Sequence, residues 1–152
     1  MLGGMKRIRR IVYATDFSAA SRPALAAALN LARSFRARLT IVHVTPGLIP
    51  ILPDQYFDTS LYDRIEQQAR EWSVRRLTNL AARARKQGVR VNIESREGDP
   101  ATQVVKVAKA TRADLLITGT HGRGGVPRFF LGSVADRLVR TSPCPVMTVR
   151  SK

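Results

Sequence analysis

The sequence predicts an α/β fold: an open five-stranded parallel sheet with helices on both faces. Five short apolar, β-branched runs alternate along the chain with four segments of helical periodicity. Such alternation favours a parallel sheet, because parallel neighbours need a crossover between them. The 152 residues, 44% of them hydrophobic, are enough for one buried core. Residues 1–152 are therefore expected to form a single domain.

The first strand and helix follow the amino terminus. The apolar run 8–14 predicts a buried strand, which ends at the polar segment 15–18. Ser21 then supplies an N-cap candidate, and Pro23 lies in the first turn of a helix expected over residues 24–35.

The second strand leads into the longest helix. Residues 37–44 are dense in β-branched and apolar side chains and predict a strand. Three prolines in residues 45–58 predict a long irregular connection. A helical pattern runs over 61–87, and Gly88 provides a C-cap. Its apolar residues keep mostly to one face: Ile65, Ala69, Trp72, Leu77, Leu80 and Ala84.

The second half of the chain repeats the alternation. Residues 89–95 alternate in polarity and predict a third strand with one less buried face. Asp99 and Pro100 supply N-cap and first-turn chemistry for a short helix to about residue 111. The remaining predictions are strands over 113–118 and 146–149 and a helix over 133–140.

The charge of the chain is unusual. Lys and Arg number 26 against 11 acidic residues, which gives a net charge of +15 and a sequence pI near 11.5. A pI this high indicates polyanion binding as one interpretation. The second interpretation is a diffuse basic surface, because no run of five basic residues occurs. Aromatic residues make up only 6% of the chain and do not favour a platform for stacking single strands.

Compartment signals are few. Cys144 is the single cysteine, so no internal disulfide forms, and the residue is expected to be a small buried apolar side chain. No apolar stretch approaches the roughly 18 residues of a membrane span, and no apolar leader opens the chain. We therefore expect a cytoplasmic protein.

A glycine-rich loop after the fourth strand is the strongest functional signal. Gly119, Gly122 and Gly132 fall at fixed offsets, and Ser133 follows directly and opens a helix. Glycines and a helix amino terminus let backbone N–H groups approach an anion closely. In open parallel sheets ligands bind beyond the carboxyl ends of the strands. The ends at Asp16, Val44 and Gly119 can therefore converge on one crevice.

Two familiar phosphate loops do not match. The first strand is followed by no glycine, which excludes the dinucleotide fingerprint, and Gly125 stands where a P-loop needs lysine. Structural alternatives remain open in the loop. Ser133 with Asp136 resembles a capping box, and His121 is expected to be structural. Arg123 and Arg128 are either solvated charges or flank a polyphosphate. No set of catalytic residues is recognisable.

The chain resembles the ATP-binding branch of the universal stress protein family. The resemblance rests on the glycines and Ser133, on the segments 13–18 and 41–44, and on Pro143-Cys144-Pro145-Val146, so it covers nearly the whole chain. It implies a Rossmann-like sheet in the order 3-2-1-4-5 and a homodimer joined through the last strands. The strong basicity departs from the family pattern.

The resemblance also implies ATP in the crevice, with Mg²⁺ on its phosphates as an open possibility. Ala14, Thr15 and Asp16 would line the adenosine half, and Val44 would offer its backbone to adenine. The remaining implied binding residues surround ribose and phosphates: Thr118, Gly119, Gly122, Arg123, Gly132, Ser133 and Val134. We expect micromolar ATP binding that weakens when Gly122 or Gly132 is replaced by valine.

Three functions therefore compete. The first is an ATP-dependent stress or signalling protein with at most weak ATP hydrolysis. The second is a polyanion-binding module for nucleic acid or an acidic partner, and the third is a dimeric scaffold without nucleotide. The glycine motif favours the first, because an unused crevice does not need such a loop.

Overall fold

The computed structural model describes residues 7–47, 59–121 and 131–151. The strands are β1 (Arg10–Ala14), β2 (Arg38–Thr45), β3 (Arg90–Glu97), β4 (Leu115–Gly119) and β5 (Val146–Val149). The helices are α1 (Arg22–Phe35), α2 (Thr59–Lys86), α3 (Pro100–Ala110) and α4 (Ser133–Thr141). A short 3-10 turn, Ala19–Ser21, precedes α1.

All strand pairs are parallel, and the sheet order is β3-β2-β1-β4-β5. The alternation of strands and helices therefore predicts the fold class correctly, and the order implied by the family resemblance is confirmed. β1 lies at the centre, where Tyr13 is in register with Ile41 of β2 and Ile117 of β4. The strand order reverses between β1 and β4, and this reversal positions the site described below.

The core has two layers, one on each face of the sheet. Odd-numbered β1 residues such as Ile11 and Tyr13 pack with α1 and α2, where Leu77 is fully buried. Val12 points to the opposite face and packs with α3 and α4, which contribute Val104 and Leu138. The alternation follows from the two-residue period of a strand. Both faces of the central strands are thus covered, as the apolar runs predict.

Helix starts match the expected chemistry in one case and differ in another. Asp99 caps α3 as predicted, and its carboxylate accepts a hydrogen bond of 2.9 Å from Thr102 N–H. Ser21 occupies the N-cap position of α1, but its hydroxyl donates to the Ser18 carbonyl over 2.7 Å instead of capping the helix.

Cys144 is only half-buried, which corrects the expectation of a buried residue.

The apolar face of α2 divides into two parts. In the second half Leu77, Ala81 and Ala84 are completely buried against the sheet. In the first half Ile65 and Trp72 remain 43% and 38% exposed. Ile65 and Trp72 are therefore more exposed than those three residues in the second half of the helix. In its first half the helix borders cavities at the carboxyl ends of the strands.

Candidate ligand-binding site

A cavity of about 650 Å³ lies over the carboxyl ends of β1, β2 and β4. Its place is the point where the strand order reverses, which is where open α/β sheets bind ligands. The volume falls within the range of small-molecule sites, about 300–1,000 Å³. The site is therefore large enough for a ligand of nucleotide size.

Most of the residues predicted from the sequence line this cavity. Nine of the eleven do so: Ala14, Thr15, Asp16, Val44, Thr118, Gly119, Gly132, Ser133 and Val134. Gly122 and Arg123 lie outside the described residues, as do Gly125 and Arg128. The structure brings the nine together from four separate segments of the chain; their role in binding stays a prediction.

The turn after β1 is held by a set of short hydrogen bonds. Ser18 N–H donates to the Asp16 carboxylate over 2.9 Å, and Phe17 N–H donates to the Thr15 hydroxyl over 3.0 Å. Tyr13 donates its phenol O–H to the Ser21 carbonyl over 2.9 Å, and burial raises the pKa of this phenol. The bonds fix Thr15 and Asp16 at the cavity wall without a contribution from the ligand.

The end of β2 presents backbone groups to the cavity. Thr15 N–H donates to the Val42 carbonyl over 2.9 Å, so the Val42 carbonyl points towards β1. Because backbone groups alternate sides along a strand, the N–H and C=O of Val44 point to the same side. The last residue of β1, Ala14, is in register with Val42, so no β1 residue lies beside Val44. Its backbone groups are therefore directed into the crevice.

The amino terminus of α4 forms the opposite wall. Gly132 is the N-cap, and the first helical bond runs from Asp136 N–H to the Gly132 carbonyl over 2.9 Å. The preceding N–H groups, of Ser133, Val134 and Ala135, have no acceptor within the helix. No side chain caps this end, so the capping-box alternative for Ser133 is wrong. These donors and the helix dipole favour an anion here.

The two described loop glycines are not equivalent. A Cβ at Gly132 would lie 3.0 Å from the Thr120 carbonyl oxygen, which already accepts the Gly132 N–H over 2.7 Å. At Gly119 the nearest atom, the Ala20 carbonyl oxygen, would be 3.6 Å away, an ordinary contact. Of these two glycines, only Gly132 leaves too little room for a Cβ without a shift of the backbone.

An aromatic cluster that the sequence did not reveal stands beside the cavity. The buried His43 ring contacts the rings of Phe17 and Trp72 at centroid distances of 4.3 and 6.1 Å. His43 and Trp72 line the cavity, and the Arg76 guanidinium lies 5.0 Å from the Trp72 ring centre. The helical spacing of Trp72 shows that it shares a face with other apolar residues but not what that face meets. Its position in the folded chain places it at the cavity wall.

Backbone geometry supports the cluster. Phe17 adopts a φ of +62°, a left-handed conformation that is unfavourable for a bulky side chain. The contacts of its ring with His43 and Trp72 offset that cost. His43 Nδ1 lies 2.8 Å from the Thr15 carbonyl; since a carbonyl only accepts, this nitrogen carries the proton.

Two further polar residues at the end of β4 line the cavity. The Thr120 hydroxyl and His121 Nδ1 lie 2.8 Å apart, and both residues border the space in front of α4. His121 Nε2 is buried and has no hydrogen-bond partner among residues 7–47, 59–121 and 131–151. His121 therefore holds a structural bond, as expected, and also reaches the candidate site.

An ion pair joins the two helices that form the far wall. Arg137 of α4 donates to the Asp99 carboxylate over 2.7 Å, and Asp99 caps α3. The hydrogen bond from Arg137, followed by those from Thr102, holds the pKa of Asp99 well below its usual range. Pro100 and Val104 of α3 line the cavity on this side. The pair links the middle of α4 to the amino terminus of α3, and both groups are about half exposed.

A smaller cavity of about 330 Å³ adjoins the first, between α2 and β3. Its wall includes two carboxyl groups, and the hydrogen bond to Glu66 raises the pKa of Glu97. Arg70 and Arg96 line the same cavity, so its wall carries charges of both signs.

Within the described ranges no cluster of three or more His, Cys, Asp or Glu side chains could hold a metal ion. In the same ranges no helix is long and apolar enough to cross a membrane.

The fold and the crevice define a class: small α/β proteins with a ligand site at the switch point of a 3-2-1-4-5 parallel sheet. The model of the universal stress protein family matches residues 7–150. The chain belongs to the universal stress protein family.

Known relatives agree with this membership. The universal stress protein MJ0531 of Methanocaldococcus jannaschii is 32% identical over 149 residues, which cover 97% of this chain and 85% of that protein. YxiE of Bacillus subtilis is 30% identical over 148 residues, with 93% and 98% covered. Both are named universal stress proteins.

Solved structures share the fold. The structure of MJ0577 superposes with a TM-score of 0.77 at 22% identity and covers 97% of this chain and 99% of its own. A universal stress protein in complex with cAMP gives 0.67 at 24% identity, with 97% and 100% covered. The Arabidopsis thaliana protein At3g01520, with AMP bound, gives 0.67 at 20% identity, with 95% and 92% covered.

Proposed function

We propose that this universal stress protein binds an adenine nucleotide, ATP, in the crevice at the carboxyl end of the sheet. The observation that carries the proposal is the pairing of two walls around one cavity of about 650 Å³. One wall is the uncapped amino terminus of α4, which suits phosphate. The other is the end of β2 with its open backbone groups and adjacent aromatic rings, which suits a base.

The phosphate chain lies at α4 in this proposal. The N–H groups of Ser133, Val134 and Ala135 and the Ser133 hydroxyl are the donors on that side. The opposite direction leads to a wall of mixed charge, where Glu66 and Glu97 stand beside Arg70 and Arg96. The uncapped amino terminus of α4 is therefore what supports this orientation of the nucleotide.

The base lies at the end of β2. The N–H and C=O of Val44 form a donor–acceptor pair, which matches the edge of adenine, a base that offers both an acceptor nitrogen and an amino group. The Trp72 indole is 38% exposed beside the cavity and provides a face for contact. Asp16 anchors the ribose side, in a turn already fixed by its bond from Ser18.

Family members bound to cAMP and AMP support an adenine nucleotide as the ligand class. ATP, in place of a monophosphate, is favoured by the room in front of α4. Mg²⁺ would be held mainly by the phosphates, because the described part of the chain has no metal-binding cluster of its own. The proposed activity is the binding of ATP, without an assigned hydrolysis step.

The wider role follows from the family. We propose a cytoplasmic protein that acts in stress response through its nucleotide-bound state, with residues 1–152 as one domain. The single cysteine is in keeping with a reducing compartment. A homodimer through the edge strand β5 is part of the proposal, supported by the 39% exposure of Met147 on β5 and the 51% exposure of Val139 on the adjacent α4.

Isothermal titration calorimetry with ATP, AMP and cAMP tests the ligand class. We expect micromolar affinity for ATP and weaker binding of AMP, which lacks the outer phosphates. Mass spectrometry of the small molecules released on denaturation tests which nucleotide the purified protein carries. Absence of heat with all three nucleotides, together with no competition by ATP for a fluorescent adenine analogue, would overturn the proposal.

A further inference from the structure

Acidic side chains are unevenly distributed along the strand direction, whereas basic side chains occur at both ends of the strands. Acidic side chains in the described ranges gather at the carboxyl ends of the strands: Asp16, Asp63, Glu66, Glu97, Asp99 and Asp136. Glu71 and Glu94 lie near the middle of α2 and β3. Asp114 is the one described carboxylate at the amino ends of the strands, and it is paired with Arg10 at 3.3 Å.

Three arginines form a row across the amino ends of the strands. Arg10 of β1 is in register with Arg38 of β2, and Arg38 is in register with Arg90 of β3. In-register residues of parallel neighbours point to the same face and lie about 4.8 Å apart. Like charges directly opposite one another destabilise a sheet. The ion pair with Asp114 gives Arg10 a role in folding, but it does not explain why Arg38 and Arg90 lie beside it.

Other basic residues surround the row. Helices run opposite to the strands, so their last turns reach the same end with Arg33, Arg83, Arg85, Lys86 and Lys109. Arg9, Arg36 and Arg112 stand in the adjoining segments and are exposed. Each helix carboxyl terminus carries about half a negative charge, which the basic residues of its last turn offset. The strand and turn arginines remain as excess positive charge. We call this surface the basic pole.

We propose that the basic pole binds the sugar-phosphate backbone of double-stranded nucleic acid. The occupant is inferred from charge complementarity and from side-chain type. Arginine far outnumbers lysine at the pole, and its planar guanidinium pairs with phosphate in a bidentate manner. A row of cations at regular spacing suits a row of repeating phosphates. Since such contacts carry no base information, the binding is independent of sequence.

The remaining surface favours a duplex over a single strand or a lipid bilayer. Phe35, 39% exposed, is the one aromatic side chain that the described residues place at the pole, so base stacking has little support. The exposed apolar Val139 and Met147 lie on α4 and β5, at the opposite edge of the sheet from the arginine row. The crevice for nucleotide lies at the other end of the strands, so both ligands can bind together.

The dimensions set the expected strength. Five strands span about 19 Å, over which a duplex carries roughly 11 phosphates, about half of them on the near side. About five phosphate contacts give a slope of log affinity against log salt near −4 to −5.

Fluorescence anisotropy with a labelled 20-base-pair DNA of arbitrary sequence, titrated at several NaCl concentrations, tests the proposal. An RNA duplex and a single strand of equal length are the parallel arms. Two triple variants remove the same charge. The pole variant is Arg9→Gln, Arg38→Gln and Arg90→Gln, and the control, on exposed positions in the carboxyl-end half, is Arg22→Gln, Arg64→Gln and Arg70→Gln.

We expect micromolar duplex binding at about 0.05 M NaCl for the original chain, with the slope given above. The pole variant should bind at least tenfold more weakly with a slope lower by about 3, since each lost phosphate contact lowers it by about 1. The control variant should keep its slope. Both variants should bind ATP unchanged, which separates this proposal from the nucleotide site.

Three results would overturn the proposal: equal loss in both triple variants, no duplex binding at about 0.05 M NaCl, or tighter binding to phosphatidylserine vesicles or polyglutamate than to the duplex. Thermal melts establish that the variants fold. Should the pole variant unfold, the single changes Arg38→Gln and Arg90→Gln provide the same test, each with an expected loss of about 1 in the slope.

Discussion

Replacement of Gly132 by alanine is the most direct test of the proposed crevice. The added Cβ would lie 3.0 Å from the Thr120 carbonyl oxygen and 3.6 Å from the His121 Cα, both backbone atoms with little freedom to move. Gly119→Ala is the matched control, because its Cβ meets nothing closer than 3.6 Å. The two variants add the same methyl group at opposite ends of one loop.

The magnitudes follow from these distances. Overpacking by a methyl group costs typically about 1–3 kcal/mol. Gly→Ala returns about 0.4–1 kcal/mol by reducing the entropy of the unfolded chain. The net free energy of unfolding should therefore fall by about 1–2 kcal/mol for Gly132→Ala, which lowers the Tm by roughly 3–6 °C. Gly119→Ala should leave the Tm unchanged or raise it by about 1–3 °C.

The affinity for ATP should follow the same order as the stability, with a larger loss in Gly132→Ala than in Gly119→Ala. Gly132 is the N-cap of α4, so a displaced Cβ shifts the N–H groups of Ser133 and Val134 away from the phosphates. Calorimetry should give ATP binding at least tenfold weaker for Gly132→Ala and within about threefold of the original for Gly119→Ala. Equal losses in both variants, or none in Gly132→Ala, would refute the reasoning from backbone contacts.

Three further predictions concern other parts of the molecule. Burial raises the pKa of Asp114, but hydrogen bonds from Arg10 and two backbone N–H groups hold it below its usual value. Asp114→Asn should therefore lower the free energy of unfolding by about 1.5–3 kcal/mol at pH 7. In urea titrations this difference should begin to shrink below about pH 4, where the unfolded carboxylate is protonated, and should vanish only as the pH falls through the lower pKa of the native carboxylate; a difference constant with pH contradicts it. ATP should quench the emission of Trp72, the one tryptophan. Trp72→Ala should weaken ATP about five- to 100-fold and Trp72→Phe much less, and unchanged affinity in both would remove the indole from the site. Met147→Glu should convert the proposed dimer to monomer in sedimentation with ATP binding retained, and an unaltered sedimentation coefficient would exclude this part of β5 from the interface.

Local signals in the sequence were sufficient to predict the strands and helices. The predicted strand over residues 146–149 coincides with β5, and α2 begins and ends within two residues of the prediction. Asp99 was recognised as a cap because capping depends on three or four neighbouring residues. Ser133 was open to two interpretations, since the sequence does not show which residue precedes the first helical turn. Gly132 takes that position, which leaves the Ser133 hydroxyl to the crevice.

The role of Trp72 needed the tertiary structure. Its spacing on α2 is that of a core residue, and helical periodicity cannot tell a face that meets the sheet from one that extends beyond the sheet's end. Val44 is similar: the direction of its backbone groups depends on where β1 stops beside β2. The charge of +15 is visible in the composition, but the alignment of Arg10, Arg38 and Arg90 in one row depends on the strand register.

The sequence by itself therefore determined the α/β class, the order of the elements along the chain and the glycine loop as a candidate anion site, because periodicity, capping and glycine spacing are local properties. Only the tertiary structure decided which walls face each other across the crevice, which of the two described loop glycines leaves least room for a Cβ, and that most of the described acidic side chains lie at the carboxyl ends of the strands. These are relations between segments as far as about 100 residues apart, such as Arg10 and Asp114, and strand pairing fixes them.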